Sequence, residues 1–152
     1  MTVELIVFSG LQASGKTSLY RERFAATHVH VSKDAWPNAR HKEQRQRRLV
    51  DEHLRAGRSV VVDNTNPTPL ERAPLIAIAR AAGVRVASYA FVASVEDALH
   101  RNAGREGRAR VVDVAIFSVA TKLLPPAAIE GFDLRFEVRL TPDGFVVTAL
   151  PA

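Results

Sequence analysis

Eight residues near the amino terminus have the types and the spacing needed to bind phosphate. Residues 10–17, GLQASGKT, fit the pattern G-x-x-x-x-G-K-[ST] and directly follow the apolar run at residues 5–8. Glycines let the chain turn sharply from a strand into a helix, so that backbone N–H groups and the helix N-terminus point at anionic oxygens. Lys16 adds a positive charge for the β- and γ-phosphates, and the Thr17 hydroxyl is placed to ligate Mg²⁺. We therefore predict that the chain binds a nucleoside triphosphate with Mg²⁺.

Two acidic residues follow predicted strands and are candidates for the same site. Asp63 ends the apolar run Ser59–Val62, and a carboxylate in that position helps to hold Mg²⁺ or its water shell. Thr17 and Asp63 are thus the predicted metal ligands, although aspartates that end strands are also common turn formers. Asp34 follows the short strand His28–Val31, and in open α/β sheets ligands bind at the carboxyl ends of strands. The alternative for Asp34 is a helix N-cap, which the local sequence alone favours.

Two further segments carry many positive charges. Residues 101–110 contain four arginines and two glycines, a composition typical of a mobile lid that closes on transferring phosphates; the alternative is a solvated basic loop. Residues 38–56 form a predicted basic helix that either tracks phosphates or is a solvated face with i,i+4 ion pairs, and the second usually prevails. Trp36, the only tryptophan, is a candidate to stack on an acceptor base, with burial in the core slightly favoured.

Length and composition indicate one domain, residues 1–152, with a substantial core. Of the 152 residues, 47% are hydrophobic, enough for a sheet covered on both faces. The chain has no cysteine, which excludes disulfides and thiolate metal sites and favours a reducing cytoplasm. We expect the amino terminus to be a first strand and not a signal peptide, and we expect no membrane span. The net charge of +5 suits polyanionic partners, but arginine-rich proteins often share it without binding nucleic acid.

Strand and helix patterns alternate along the chain. Strands are predicted at residues 5–8, 28–31, 59–62, 84–92, 132–140 and 145–150, and helices at residues 17–26, 38–56, 70–82, 95–103 and 111–124. The last two strands flank the turn signal of residues 141–144, TPDG. The predicted fold is therefore α/β: a parallel sheet of the P-loop NTPase type between layers of helices, with right-handed crossovers and a C-terminal hairpin.

The motifs together resemble those of the polynucleotide 5′-hydroxyl kinases, including the kinase domain of polynucleotide kinase 3′-phosphatase. The resemblance covers residues 5–136 and rests on GLQASGKT at 10–17, HVSKD at 30–34, VVVDNTNP at 60–67, ARAAGV at 79–84, HRNAGREG at 100–107 and EGF at 130–132. The phosphate loop alone is shared by many families. The DNTNP block, the aspartate after the second strand and the Arg-Asn lid, in this order, are far more specific.

The resemblance implies a role for each matching residue. Asp34, Lys16 and Arg105 would be catalytic: Asp34 as the general base, Lys16 bridging phosphates and Arg105 contacting the transferring phosphate from the lid. The predicted nucleotide-binding set is Gly10, Ala13, Ser14, Gly15, Lys16, Thr17, Ser18, Arg101 and Arg105. The predicted acceptor-binding set is Lys33, Asp34, Trp36, Arg40, Asp63 and Asn64.

The sequence departs from the family at two positions beside Asp34. Pro37 stands where the phage member of the polynucleotide kinase family has an arginine that contacts the acceptor's phosphate, which leaves Arg40 as the nearest substitute. Lys33 stands where the family usually has arginine, which keeps the charge but loses the bidentate fork. The sequence contains no phosphatase domain, so we expect any 3′-phosphatase or ligase to be a separate partner.

Three functions are consistent with these observations. The leading hypothesis is an ATP-dependent kinase that phosphorylates the 5′-hydroxyl of a DNA or RNA strand. The second is a small-molecule kinase acting on a sugar, nucleoside or antibiotic hydroxyl, which would need a closed acceptor pocket. The third is a nucleotide-binding module that hydrolyses slowly and signals through its lid, and it would not need Asp34 as a base.

Overall fold

The computed structural model describes residues 2–152, which form one six-stranded sheet. The strand order is β2-β3-β1-β4-β5-β6, and β1 to β5 run parallel while β6 is antiparallel to β5. The strands are β1 (Glu4–Ser9), β2 (His28–Val31), β3 (Ser59–Val62), β4 (Arg85–Phe91), β5 (Leu134–Thr141) and β6 (Gly144–Ala149). The predicted parallel α/β sheet with a C-terminal hairpin is confirmed.

Helices cover both faces of this sheet. The α-helices are α1 (Lys16–Leu19), α2 (Lys42–Arg55), α3 (Pro69–Ala82), α4 (Val95–Ala103) and α5 (Asp113–Lys122). Short 3-10 turns occupy Lys33–Ala35, Gly107–Ala109 and Ala128–Glu130. None of the helices in residues 2–152 is long and apolar enough to cross a membrane.

The central strands are apolar throughout because both of their faces are buried. Alternate residues of β1 point to opposite clusters: Leu5 and Val7 pack with α2 and α3, while Ile6 and Phe8 pack with α1 and the hairpin. A third, smaller cluster joins α4 and α5 around Leu11 of the phosphate loop. The loop is therefore attached by packing to the helices that flank the predicted lid.

Two predicted helices differ from those observed. The first is α-helical only to Leu19 and continues as a π-helix over Tyr20–Phe24. The aromatic rings of that segment pack on the sheet side, Tyr20 against His30 and Phe24 against Phe8, and this long-range packing accompanies the wider turn. The second helix starts at Lys42 and not near residue 38, because the chain between Trp36 and His41 is occupied by turns.

The C-terminal hairpin lies against the phosphate loop. Since β5 is parallel to β4, its carboxyl end reaches the same edge of the sheet as the loop after β1. The Phe145 ring at the start of β6 packs on Gly15, so closely that a Cβ on Gly15 would lie 3.0 Å from Phe145 Cε1. The hairpin thus forms one wall beside the start of α1.

Candidate active site

The phosphate loop has the backbone conformation that its glycines predict. Gly10 and Gly15 have φ angles of 144° and 98°, and Ala13 also lies in the left-handed region with φ 61°. At Gly10 a Cβ would lie 2.9 Å from both Cβ and O of Phe91, so a larger residue would displace β4. The N–H groups of Gly15, Lys16 and Thr17 begin α1, where no preceding helical carbonyl accepts from them. This arrangement can bind the phosphates of a nucleotide.

Lys16 lies at the centre of the loop and is only 8% exposed. Its ammonium donates to the carbonyls of Gly10 at 3.0 Å and Leu11 at 2.6 Å. Burial lowers the pKa of Lys16 to about 8; the carboxylates of Asp63 and Asp34 oppose the shift and the Arg105 guanidinium adds to it. Asp34, Asp63 and Arg105, predicted from separate parts of the sequence, thus lie within electrostatic range of one lysine.

Asp63 connects the end of β3 with the start of α1. It is 4% exposed, and its Oδ2 accepts hydrogen bonds from Thr17 Oγ1 at 2.7 Å and from His30 Nε2 at 2.8 Å. Burial alone would raise the pKa of Asp63, but the two hydrogen bonds and the Lys16 charge together hold it below its ordinary value. Asp63 is therefore a carboxylate in direct contact with Thr17, as expected of a shared metal site.

The Thr17 hydroxyl and the Asp63 carboxylate are chemically suited to bind Mg²⁺. Hydroxyl and carboxylate oxygens are hard ligands, and Mg²⁺ is usually held by one or two protein oxygens together with water and substrate phosphates. Within residues 2–152 no group of three or more His, Cys, Asp or Glu side chains is placed to hold a metal ion. The site thus suits a cation brought in with a nucleotide and not one held in a cage of protein ligands.

Asp34 lies in the 3-10 turn after β2, with its carboxylate exposed. Ser32 caps this turn, since its Oγ accepts from the Asp34 N–H at 3.2 Å, and Asn64 Oδ1 accepts from the Lys33 N–H at 3.0 Å. The interpretation of Asp34 as the cap of the next helix is wrong, because α2 starts at Lys42. The Asp34 carboxylate has no hydrogen bond or ion pair among residues 2–152, so it remains available to an acceptor hydroxyl.

Asn64 positions the turn that carries Asp34. Its Nδ2 donates to Oε1 of Gln46, a buried side chain of α2, at 2.8 Å, while its Oδ1 accepts from the Lys33 N–H. Both ends of the Asn64 amide are thus used within the protein. The contact of Asn64 with the acceptor stays a prediction. The observed hydrogen bonds of Asn64 connect the end of β3 to α2 and to the turn that carries Asp34.

The other predicted acceptor residues lie around the start of α2. Trp36 is half-buried against the α2 and α3 side of the core, and the Arg45 guanidinium lies 4.5 Å from its ring centroid. The Lys33 ammonium is bonded to Glu43, and Arg40 is exposed. Farther along the exposed face of α2, the expected i,i+4 ion pairs are present between Arg48 and Glu52 and between Asp51 and Arg55.

The basic segment after α4 forms a loop whose two ends are joined. Asn102 is fully buried; its Nδ2 donates to the Val111 carbonyl at 2.7 Å, and its Oδ1 accepts from the Val111 N–H at 3.0 Å. Between these ends, Arg105 donates to the Ala109 carbonyl and lies close enough to Lys16 to lower its pKa. Arg101 is half-buried at the end of α4. The predicted lid is therefore a loop closed at its base, with the Arg105 charge within electrostatic range of Lys16.

A buried ion pair that no sequence pattern indicates is connected, through Asn66, to the end of β1, where the phosphate loop starts. Arg72 of α3 is fully buried and binds Glu130 through both carboxylate oxygens, at 2.8 and 3.0 Å. Arg72 also donates to the Asn66 carbonyl, and the Asn66 side chain donates to the Phe8 carbonyl at the end of β1. Asn66 belongs to the DNTNP motif and Glu130 to the EGF motif, but the contact between the two motifs depends on how α3 packs, which no local pattern reveals.

Comparison with known proteins agrees with this geometry. Residues 5–122 match the protein family AAA_33, an AAA domain. The chain belongs to this family.

Three solved structures show the fold over most of the chain. Kti12 from Chaetomium thermophilum, in complex with ADP-AlF3, is 18% identical, with a TM-score of 0.69 over 89% of this chain and 88% of that one. A fungal RNA kinase is 15% identical, with a TM-score of 0.71 over 93% of this chain and 39% of that one. A gluconokinase from Sinorhizobium meliloti 1021 is 19% identical, with a TM-score of 0.65 over 90% of this chain and 82% of that one. The AAA_33 chain thus has a P-loop kinase fold, which by itself leaves the acceptor open.

Proposed function

We propose that this AAA_33 chain is an ATP-dependent kinase that transfers the γ-phosphate to the 5′-hydroxyl of a DNA or RNA strand. The observation that carries the proposal is the Asp34 carboxylate, which is exposed, has no partner among residues 2–152 and acts electrostatically on Lys16. A carboxylate placed beside a phosphate-binding lysine, with its other side open, is suited to activate a hydroxyl from outside the protein.

The residues divide the reaction between them. Lys16 and the N–H groups at the start of α1 bind the terminal phosphates. Thr17 and Asp63 would hold Mg²⁺, which would supply positive charge to the phosphate oxygens. Asp34 takes the proton of the acceptor hydroxyl as the hydroxyl oxygen forms a bond to the γ-phosphorus. The bond between the γ-phosphorus and the oxygen that bridges it to the β-phosphate breaks, and ADP leaves. Arg105 stabilises the charge on the transferring phosphoryl group from the lid side.

Several observations support a nucleic-acid acceptor. Asp34 is exposed, so an acceptor hydroxyl can reach it from solvent, which suits the end of a strand. Arg40 is exposed near Asp34, and the chain carries a net charge of +5. The DNTNP block and the Arg-Asn lid also resemble those of polynucleotide kinases, and one neighbour in fold is an RNA kinase.

A small-molecule kinase is the second candidate, and one observation favours it. Of the predicted acceptor residues, Lys33 is bonded to Glu43, and the Trp36 ring faces the Arg45 guanidinium, so few groups beside Asp34 are free to hold a long polyanion. A gluconokinase is also among the neighbours in fold.

The deciding experiment measures transfer of label from γ-labelled ATP. Acceptors are 5′-hydroxyl DNA and RNA oligonucleotides beside a panel of nucleosides and sugars. We expect the oligonucleotides to be labelled, Asp34→Asn to lower the rate of labelling at least ~10²-fold, and the control Asp97→Asn, an exposed aspartate on α4, to label at the wild-type rate. Labelling of a sugar or nucleoside alone would select the second candidate. Hydrolysis of ATP that labels no acceptor and is unaffected by Asp34→Asn would select a nucleotide-binding module.

Salt dependence separates the two acceptor classes independently. If several Lys and Arg side chains neutralise the strand, log affinity for the acceptor falls with log salt by about 0.7 for each neutralised phosphate. A KM for the oligonucleotide that stays constant between ~50 and ~200 mM salt would contradict a polyanionic acceptor.

A further inference from the structure

His30 contacts the candidate metal-binding carboxylate but has been given no role so far. It lies on β2, and its Nε2 is 2.8 Å from Asp63 Oδ2. A carboxylate oxygen accepts hydrogen bonds, so Nε2 is the donor in this pair. The imidazole packs against the Tyr20 ring, with centroids 4.4 Å apart and the ring planes tilted by 37°, so its orientation is restricted from a second side.

Both hydrogen bonds to Asp63 reach the same oxygen. Thr17 Oγ1 and His30 Nε2 donate to Oδ2, whereas Oδ1 accepts no side-chain or backbone hydrogen bond from residues 2–152. Two donors on one oxygen fix the plane of the carboxylate and leave Oδ1 for a further interaction. The Thr17 hydroxyl uses its proton on Asp63, so its lone pairs are left for a cation.

We propose that His30 is a positioning residue that orients Asp63, and through it Thr17, for Mg²⁺ bound with a nucleotide. The inference rests on the Mg²⁺-nucleotide part of the proposed function and is independent of the acceptor. His30 does not touch the cation in this role; it acts through the carboxylate, as residues behind metal ligands commonly do.

The chain supplies a matched control on the same strand. His28 lies two residues before His30 on β2. Its Nε2 also donates to a carboxylate, that of Glu4, at 2.9 Å. Glu4 starts β1, away from the phosphate loop, whereas Asp63 contacts Thr17. Replacement of either histidine by Gln keeps an N–H donor, and replacement by Leu removes it.

The test measures binding of ADP by calorimetry at a series of Mg²⁺ concentrations, so it needs no phosphoryl transfer. For His30→Leu we expect the Mg²⁺ concentration that half-maximally tightens ADP binding to rise about 10- to 100-fold, as for other residues behind metal ligands. ADP binding without Mg²⁺ should change less than about twofold, because the N–H groups of the loop are intact. His30→Gln should recover most of the loss, and His28→Leu should match the wild type.

Three outcomes would overturn the inference. If His30→Leu and the wild type have the same Mg²⁺ midpoint, His30 does not position Asp63 for the metal. If ADP binding without Mg²⁺ weakens equally, the role of His30 is structural only. If Mg²⁺ does not affect ADP binding to the wild type, the metal part of the proposed function fails as well. Mg²⁺-dependent ADP binding without transfer to nucleic acid would instead reject the proposed acceptor and leave this inference standing.

Discussion

The buried lysine of the phosphate loop makes nucleotide binding depend on pH. Burial lowers the pKa of Lys16 to about 8, with Arg105 adding to the shift. The negative phosphates of a bound nucleotide favour the charged ammonium, so we expect binding to raise this pKa again. Below pH 8 Lys16 is already protonated in the free protein, so the affinity for the nucleotide is constant. Above pH 8 the free protein must take up a proton to bind, so affinity falls as pH rises.

The size of the effect follows from the pKa. With a pKa of about 8, Lys16 is charged in about nine molecules of ten at pH 7 and in about one of ten at pH 9. The ADP affinity should therefore fall about tenfold between these pH values, and about 0.9 proton should be taken up per ADP bound at pH 9. Without the Arg105 charge the pKa is closer to that of an ordinary lysine, so Arg105→Ala should move the fall in affinity to higher pH.

Calorimetry in buffers of different ionisation enthalpy measures both the affinity and the proton uptake. Lys16→Met should bind ADP weakly, with neither the pH dependence nor the uptake. Lys122→Met, which removes an exposed lysine at the end of α5, should behave as the wild type. A wild-type affinity that is constant from pH 7 to pH 9, or a fall that persists in Lys16→Met, would refute the assignment of the buried charge.

Three further variants test the catalytic groups and the support beneath them. Asp34→Asn should bind ADP and melt as the wild type yet transfer phosphate at least ~10²-fold more slowly, and near-normal turnover would refute the base assignment. Arg105→Ala should lower kcat by about 10³-fold, whereas a change within about threefold would identify a solvated loop. Arg72→Met leaves the Glu130 carboxylate buried without its partner and should lower the free energy of unfolding by about 3–5 kcal/mol. The control Arg80→Met breaks an exposed pair and should cost about 1 kcal/mol or less in the same denaturant titration; equal losses would contradict the buried-pair argument.

The elements that carry the chemistry follow from short-range patterns in the sequence. The apolar runs of β1 and β3 require burial on both faces, and GLQASGKT between a strand and a helix leaves few conformations other than a phosphate loop. Because the ends of parallel strands meet at one edge of the sheet, the sequence alone places Asp34 and Asp63 near Lys16. The strand and phosphate-loop patterns themselves each span about ten residues or fewer, the range over which periodicity and turn chemistry operate.

Tertiary structure decided which side chains meet across the sheet. The order β2-β3-β1-β4 brings His30 of β2 to Asp63 of β3, and the packing of α3 buries Arg72 against Glu130. The pattern before α2 predicts a helix, but the chain there forms turns that pack Trp36 on the core and place Arg45 over its ring. These contacts join residues 9 to 58 positions apart in the sequence, and the apolar pattern states only that a face is buried, not which partner covers it.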